Sequence, residues 1–233
     1  PWAGFYLVFA RQAPRLSLAL PNLILLSTSL LYDAALIDQT WETRQIICGS
    51  LIEQYYFCKQ LPEGKDRWII PALVRYLSMH QLRVFHGNND YKLQVYMDRE
   101  RVLAMDDNQR VLLNNVLPCD LERTIDNQGY EYVAKRGRLI LVMLEHHLGK
   151  QNIQKILMQM FIDANCTADL SGERAVKDLY SVSYLHRCVK RITGKDVFAF
   201  LEQWLTVPGY PVIEVSFAYN RKRACVDLHV QQR

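Results

Sequence analysis

The chain has 233 residues, half of them apolar, and its 28 basic and 24 acidic side chains give a formal net charge of +4. This composition excludes a disordered tail, a collagen-like repeat and a disulfide-stapled miniprotein. The longest apolar stretch, residues 16–31, is interrupted by Pro21 and Asn22 and falls short of the span of about 20 apolar residues that a membrane helix needs. A start at Pro1 without a signal peptide predicts a segment of a longer protein.

Three zones follow one another along the chain. Residues 1–33 are apolar and β-branched and predict strands, whereas residues 34–206 carry apolar side chains at a spacing of three to four and predict helices. Residues 207–233 begin with two close prolines, which forbid helix. They then alternate between apolar and polar side chains, which predicts a β-hairpin with its turn at Asn220–Arg223.

Turn-forming residues divide the helical zone. Loops are predicted at residues 62–64, 87–90, 126–129 and 171–172. Thr193 and Asp196 are spaced as a helix start, with the acidic side chain in the first turn where the helix dipole favours it. Trp204 and Tyr210 are predicted to hold the hairpin against the last helix.

The side chains that could carry chemistry form no catalytic motif. The six histidines lack the His-Glu-x-x-His spacing of a zinc peptidase, and the adjacent His146 and His147 are predicted to be partly exposed helix residues. There is no Gly-x-Ser-x-Gly elbow or Gly-rich phosphate loop, and Ser50 is predicted to face a neighbouring helix. The six cysteines contain no Cys-x-x-Cys pair and predict free, mostly buried thiols in a reducing compartment; a cysteine–histidine pair assembled in space stays open.

Basic side chains are densest in three short runs. These are Lys135, Arg136 and Arg138; Arg187, Lys190, Arg191 and Lys195; and Arg221, Lys222 and Arg223. A solvated face is the default explanation of such runs. The third run is the sharper candidate for nucleic acid, because cations on a hairpin tip project together towards phosphates. No base-reading motif accompanies it, so DNA contact should be sequence-tolerant.

Two segments of the chain carry a family resemblance. Residues 22–57 include Asn-Leu-Ile-Leu-Leu-Ser-Thr-Ser-Leu-Leu-Tyr-Asp and Thr-Arg-Gln-Ile-Ile-Cys-Gly-Ser-Leu-Ile-Glu-Gln-Tyr-Tyr-Phe. They resemble the strand and active-site helix of the aminopeptidase N-like zinc peptidases. Residues 193–211, from Thr-Gly-Lys-Asp-Val to Pro-Gly-Tyr-Pro, are similar to the last catalytic-domain helix of that family and its exit into a β-sandwich.

Within that superfamily, the chain resembles the non-peptidase branch formed by subunit 2 of the general transcription factor TFIID (TBP-associated factor 2). The residues that carry this likeness are 43–56 and Ser-Phe-Ala-Tyr-Asn-Arg-Lys-Arg at 216–223. The resemblance covers about residues 20–231 and is thin between residues 87 and 129.

The resemblance aligns four positions of this chain with the three zinc ligands and the general base of the active peptidases. The first zinc histidine falls on Gly49, the catalytic Glu on Ser50 and the second zinc histidine on Glu53, directly before a matching Gln54. The third ligand, a Glu in a Trp-x-x-Glu-Gly frame, falls on Pro71. None of these replacements supplies an imidazole, so the resemblance implies no zinc and no other cofactor.

Two further positions complete the comparison. The tyrosine that stabilises the oxyanion falls on Ala134, in the frame Ala-Lys-Arg-Gly. The segment that binds the substrate amino terminus aligns near residues 15–19, without its Glu. With the Lewis acid, the general base and the oxyanion donor all replaced, the resemblance implies a chain with no catalytic residue.

The fold class that the resemblance implies is mainly α: a thermolysin-like helical domain of an aminopeptidase-like fold, with a few N-terminal strands, running into the start of a β-sandwich domain. The predicted divisions are 1–33 for the strand-rich end of the peptidase-like domain, 34–206 for its helical part and 207–233 for the first hairpin of the sandwich.

The implied function is that of a nuclear, non-catalytic scaffold subunit of TFIID that supports assembly of the RNA polymerase II preinitiation complex. Implied partners are other TFIID subunits, TBP-associated factors 1 and 8 among them, and promoter DNA near the start site, but no membrane. Arg221, Lys222 and Arg223 are the candidate phosphate contacts. Two alternatives stay open: a divergent zinc aminopeptidase with relocated ligands, and an inactive peptidase homologue that acts as an adaptor outside transcription.

Overall fold

The computed structural model describes residues 4–11, 13, 16–33, 35–57, 64–105, 113, 128–171, 178–207 and 209–232. Their main elements are β1 Tyr6–Ala10, β2 Ser17–Leu20, β3 Leu23–Ser27, α1 Asp38–Ile52, α2 Ile69–Met105, α3 Gln128–Leu148, α4 Lys150–Ser171, α5 Val182–Thr193, α6 Phe198–Thr206, β4 Ile213–Asn220 and β5 Cys225–Gln232. The predicted mainly helical class, with strands at both ends, is confirmed. Within these ranges, every helix is too short or too polar to cross a bilayer.

The N-terminal strands form a small mixed sheet in the order β1-β3-β2, with β1 parallel and β2 antiparallel to β3. Asn22 takes a positive φ of 63° in the tight turn between β2 and β3, a conformation that asparagine tolerates better than most residues. Ile24 and Leu26 of β3 are fully buried against α1. The side chain of Gln54 donates to the carbonyl of Leu20 at 2.6 Å, so the end of α1 is held to the sheet.

Helix α2 is a helical hairpin rather than a straight rod. At Gly87 the backbone takes φ 88° and ψ 179°, a conformation that essentially only glycine adopts. The arms on either side run antiparallel, because Arg75 of the first arm binds Asp98 of the second at 2.7 Å. The loop predicted at residues 87–90 is therefore reduced to Gly87. The other predicted loops lie largely outside the described residues.

The main core forms where α2 crosses α3. Trp68, Leu73, Ile140 and Leu144 are at most 2% exposed there. The helices approach closely at Gly137, where an added Cβ would lie only 2.5 Å from the Cβ of Ala72. The glycine is therefore required by the separation of the two backbones.

Helices α4, α5 and α6 complete the helical body. Helix α5 begins with a serine cap, Ser181, and ends at Gly194 in the left-handed conformation. The predicted helix start at Thr193–Asp196 is wrong, because Gly194 makes Thr193 the last residue of α5. Helix α6 begins only at Phe198, whose N–H donates to Asp196 Oδ1 at 2.9 Å.

The C-terminal hairpin forms as predicted, with its turn one residue later than predicted. Strands β4 and β5 pair antiparallel, and residues 221–224 connect them. Trp204 is partly buried against the core and contacts the Phe200 ring, with centroids 6.3 Å apart. Tyr210 is 48% exposed, which does not fit the prediction that it holds the hairpin against α6. Instead, Arg136 Nη2 of α3 donates to the carbonyl of Val207 at 3.4 Å.

Candidate functional site

The first two peptidase-like positions lie in a buried contact between α1 and α2. Gly49 and Ser50 are buried in α1, and a Cβ added at Gly49 would meet Val74 of α2 at 3.5 Å. Ser50 Oγ donates to the carbonyl of Ile46 at 2.8 Å, which satisfies the hydroxyl within its own helix. Ser50 therefore faces the protein interior, as predicted, and is not presented to a substrate.

The other positions are equally unsuited to a zinc ion. Glu53 lies where α1 widens into a π-helical turn, Glu53–Phe57. Pro71 is buried in the first turn of α2, where its missing N–H costs no helical hydrogen bond, and Ala134 is buried in α3. This set offers one carboxylate and no imidazole, which does not fit the three-ligand zinc site of a peptidase. Arg15 of the amino-terminus segment lies outside the described residues.

Three of the described histidines contact other polar side chains. His80 binds Glu145 at 3.1 Å, His186 binds Asp196 at 3.0 Å and His86 lies 3.3 Å from Arg44. His146 and His147 are exposed on α3, as predicted. Across the described ranges, no three side chains of His, Cys, Asp or Glu are grouped as a metal site would require.

The free state predicted for the cysteines holds for the three whose side chains are described. Cys188 is buried, whereas Cys48 and Cys225 are only partly buried, so burial is less complete than predicted. Desolvation raises the pKa of the Cys48 and Cys188 thiols, which disfavours the nucleophilic thiolate.

The first basic run is not a solvated face. Lys135, Arg136 and Arg138 are only 9%, 6% and 0% exposed. Arg136 donates to the hydroxyl of Tyr132, and Lys135 to Glu131 one turn earlier. The prediction is wrong here because α3 is surrounded by other elements on nearly all sides, so even its charged side chains are covered.

Arg138 belongs to a buried ion network that joins three helical segments. Asp98 accepts from Arg75 through both carboxylate oxygens, at 2.7 and 3.1 Å, and from Arg138 Nη1. Burial raises the pKa of Asp98, but the charges and hydrogen bonds of the two arginines outweigh it and hold that pKa below its usual value. The network ties both arms of α2 to α3.

A second polar cluster lies further along the same helices. Glu145 of α3 accepts from the Tyr76 hydroxyl at 3.0 Å and lies 3.1 Å from His80 Nε2. Desolvation lowers the pKa of His80 despite the nearby carboxylate, and burial together with Glu145 raises the pKa of Tyr76. Tyr76 is buried, His80 and Glu145 are partly buried, and the three bind one another, so the cluster joins α2 to α3.

The candidate phosphate contacts lie together at the hairpin tip. Arg221, Lys222 and Arg223 are all exposed in the turn between β4 and β5. Asn220 Oδ1 accepts from the backbone N–H groups of Lys222 and Arg223 at 3.2 and 3.3 Å, which gives the turn a defined shape. The second basic run is also exposed, as predicted: Arg187, Lys190, Arg191 and Lys195 are in or directly after α5.

The hairpin has one apolar and one polar face. The apolar side chains on one face are between 55% and 78% exposed: Ile213, Val215, Phe217, Tyr219, Val226, Leu228 and Val230. The other face carries polar or small residues, among them Glu214, Ser216, Asp227 and His229. Such a ribbon is marginal alone and needs a partner layer on its apolar side.

Comparisons with known proteins add a family likeness to this geometry. No protein-family model matches the chain. The chain is 25% identical over 242 residues to "Transcription initiation factor TFIID subunit 2" of Schizosaccharomyces pombe and 22% identical over 266 residues to that of Drosophila melanogaster. Both matches cover the whole chain but only 19% and 22% of those relatives. The chain thus spans about a fifth of the length of the curated relatives it matches.

A peptidase likeness accompanies this match. "Probable aminopeptidase 1" of Saccharolobus solfataricus is 22% identical over 202 residues, which cover 82% of the chain and 24% of that protein. The mainly helical body fits the aminopeptidase-like fold expected from such relatives. The chain is therefore similar, along its whole length, to one stretch of the TFIID subunit 2 proteins, and more weakly to aminopeptidases of the same superfamily.

Proposed function

We propose that the chain is part of a non-catalytic scaffold subunit of TFIID that supports RNA polymerase II preinitiation complex assembly in the nucleus. The observation that carries the proposal is the similarity of the whole chain to TFIID subunit 2 from several eukaryotes. The relatives are named as a transcription initiation factor, and a helical body with exposed charged and apolar surfaces suits a role in assembly.

The peptidase positions support the non-catalytic part of the proposal. Without imidazoles at positions 49 and 53 or a carboxylate at position 71, no Lewis acid is held. A water molecule would then keep its ordinary high pKa instead of one lowered to about 7. Ser50 supplies no general base, and Ala134 supplies no oxyanion donor. Loss of an oxyanion donor alone typically costs about 3–4 kcal/mol of transition-state stabilisation.

The proposed partners are other TFIID subunits, TBP-associated factors 1 and 8 among them, and promoter DNA. Arg221, Lys222 and Arg223 are the proposed phosphate contacts of the hairpin, since they are exposed on one ordered turn. Such contacts read no bases, so DNA binding through them would be sequence-tolerant.

The domain divisions are part of the same proposal. Residues 1–33 and 34–206 would form the strand-rich and helical parts of the peptidase-like domain. Residues 207–233 would open a β-sandwich, in which a second sheet covers the apolar face of the hairpin. The end of α6 at Thr206 and the exposure of Phe217 and Leu228 support this division.

Affinity purification of the parent protein, tagged at its native locus, tests the proposal. We expect TBP and its associated factors to co-purify in stoichiometric amounts, as judged by quantitative mass spectrometry. Recovery without these factors, or with cytoplasmic partners alone, would remove the transcription assignment and favour an adaptor elsewhere.

The second candidate, a divergent zinc aminopeptidase, is favoured by the likeness to the Saccharolobus enzyme. Elemental analysis of the purified protein and hydrolysis of aminoacyl substrates distinguish the two functions. We expect less than stoichiometric zinc and no hydrolysis above a blank. One zinc ion per chain with turnover would establish the enzyme instead.

A further inference from the structure

The exposed face of α5 carries a cluster of positive charge. Arg187 and Lys190 lie one helical turn apart and are both exposed, whereas the opposite face buries Leu185, Cys188 and Val189. No acidic residue occurs within this helix. The helix dipole accounts for cations in the last turn, such as Lys190, but Arg187 lies earlier.

The carboxylates near this face already have partners. Asp163 of α4 accepts from the Tyr184 hydroxyl and lies 3.7 Å from Arg191. Asp196 accepts from the Phe198 N–H and binds His186, and these two contacts, aided by the charge of Lys190, lower its pKa.

Arg187 is held in place by a tyrosine ring. Among the residues that the structure describes, no carboxylate lies within ion-pair distance of it. Its guanidinium lies over the Tyr184 ring, 5.1 Å from the ring centroid, which restricts the side chain while its N–H groups stay accessible. Beyond the helix end, Lys195 Nζ donates to the carbonyl of His147 at 2.9 Å, so this cation too has a fixed position.

We infer that this α5 face, defined by Arg187, Lys190 and Lys195, binds the phosphate backbone of duplex nucleic acid. Arginine and lysine are side chains that bind phosphate, and from Arg187 to Thr193, the end of α5, the helix rises by about 9 Å. Measured along the duplex axis, a DNA strand carries about three phosphates over that length. The inference rests on the proposed function for its biological setting and adds a second surface besides the hairpin turn.

The chemistry of the face favours nucleic acid over an acidic protein. Specific protein interfaces are centred on buried aromatic or aliphatic anchors, whereas protein–DNA interfaces are more polar and far more positively charged. Within its described length, α5 presents no exposed large apolar side chain. The apolar surface of the hairpin, by contrast, has the composition of a protein contact.

The test measures binding of the purified full-length protein to two unrelated DNA duplexes between about 50 and 200 mM salt. R187Q/K190Q should reduce the slope of log affinity against log salt by about 2 units, and equally for both duplexes. The matched control K92Q/R101Q removes the same charge from exposed positions of α2 and should leave the slope unchanged. Lys195 is left intact because it also holds the end of α3.

The outcomes separate this inference from the proposed function. A slope for R187Q/K190Q equal to that of the control overturns the α5 surface, and so does failure of the wild-type protein to bind either duplex. If R221Q/K222Q/R223Q alone lowers the slope, the DNA contact belongs to the hairpin and the α5 inference fails while the proposed function stands. Loss of a TFIID subunit from purified R187Q/K190Q complexes, with the slope unchanged, would assign the face to a protein partner.

Discussion

Replacing Asp98 should destabilise the protein more than replacing any exposed charged residue of α2. Asp98 is 2% exposed and accepts three hydrogen bonds from Arg75 and Arg138, the latter completely buried. Asp98→Asn keeps the shape but leaves the buried guanidinium of Arg138 and the partly buried one of Arg75 without their carboxylate. Removing one partner from a buried ion network costs about 3–5 kcal/mol, a large share of a typical stability of about 5–15 kcal/mol.

Urea unfolding followed by circular dichroism measures this cost. The matched control is Glu100→Gln, because Glu100 is 50% exposed and pairs with Arg99, which is 56% exposed. An exposed pair contributes at most about 1 kcal/mol. The reasoning would be refuted if Asp98→Asn and Glu100→Gln lowered the free energy of unfolding by amounts within about 1 kcal/mol of each other.

Three further predictions concern pH and backbone geometry. The folded-state pKa of Asp98 is lowered, so the ionised carboxylate stabilises the protein at pH values above its unfolded pKa of about 3.9. This stabilisation is lost as the pH falls through the folded-state pKa. Melting temperatures measured across acidic pH should therefore fall less steeply for Asp98→Asn than for the wild-type protein. Gly137→Ala should cost about 1–3 kcal/mol by forcing α3 away from Ala72, whereas Gly49→Ala, with ordinary contact distances, should be neutral or stabilising by up to about 1 kcal/mol. A Gly49→Ala variant that loses as much stability in urea unfolding as Gly137→Ala would contradict this. Gly87→Ala should cost about 1–3 kcal/mol from backbone strain alone, since no atom lies within 4 Å of the added Cβ, and an unchanged melting temperature would show that the turn relaxes.

The hairpin and the helical body follow from patterns that sequence alone makes visible. Apolar and polar side chains alternate over residues 213–220 and 225–232, which predicts two strands, and the run of cations between them predicts an exposed turn. Ser50 was predicted correctly because an apolar helical context decides its environment. These features depend on neighbours in sequence, which periodicity can describe.

The buried ion network depends on residues that are neighbours in space but distant in sequence, so local sequence patterns did not predict it. Lys135, Arg136 and Arg138 form a basic run like any other, and nothing local shows that α3 is enclosed. One signal was available: Arg75 and Asp98 lie at nearly equal distances from Gly87, so a helical hairpin turning there would pair them. Interpreting residues 87–90 as a loop, rather than as a one-residue turn, concealed that pairing.

The contact between Arg136 and Val207 sets the path along which mechanical load would travel. Arg136 reaches from the interior of α3 to the backbone just after α6, ahead of the hairpin. Tension applied to the hairpin by a bound partner would therefore be borne first by α3 and the core around it. Helix α6, which ends at Thr206 just before this contact, would bear less of that load.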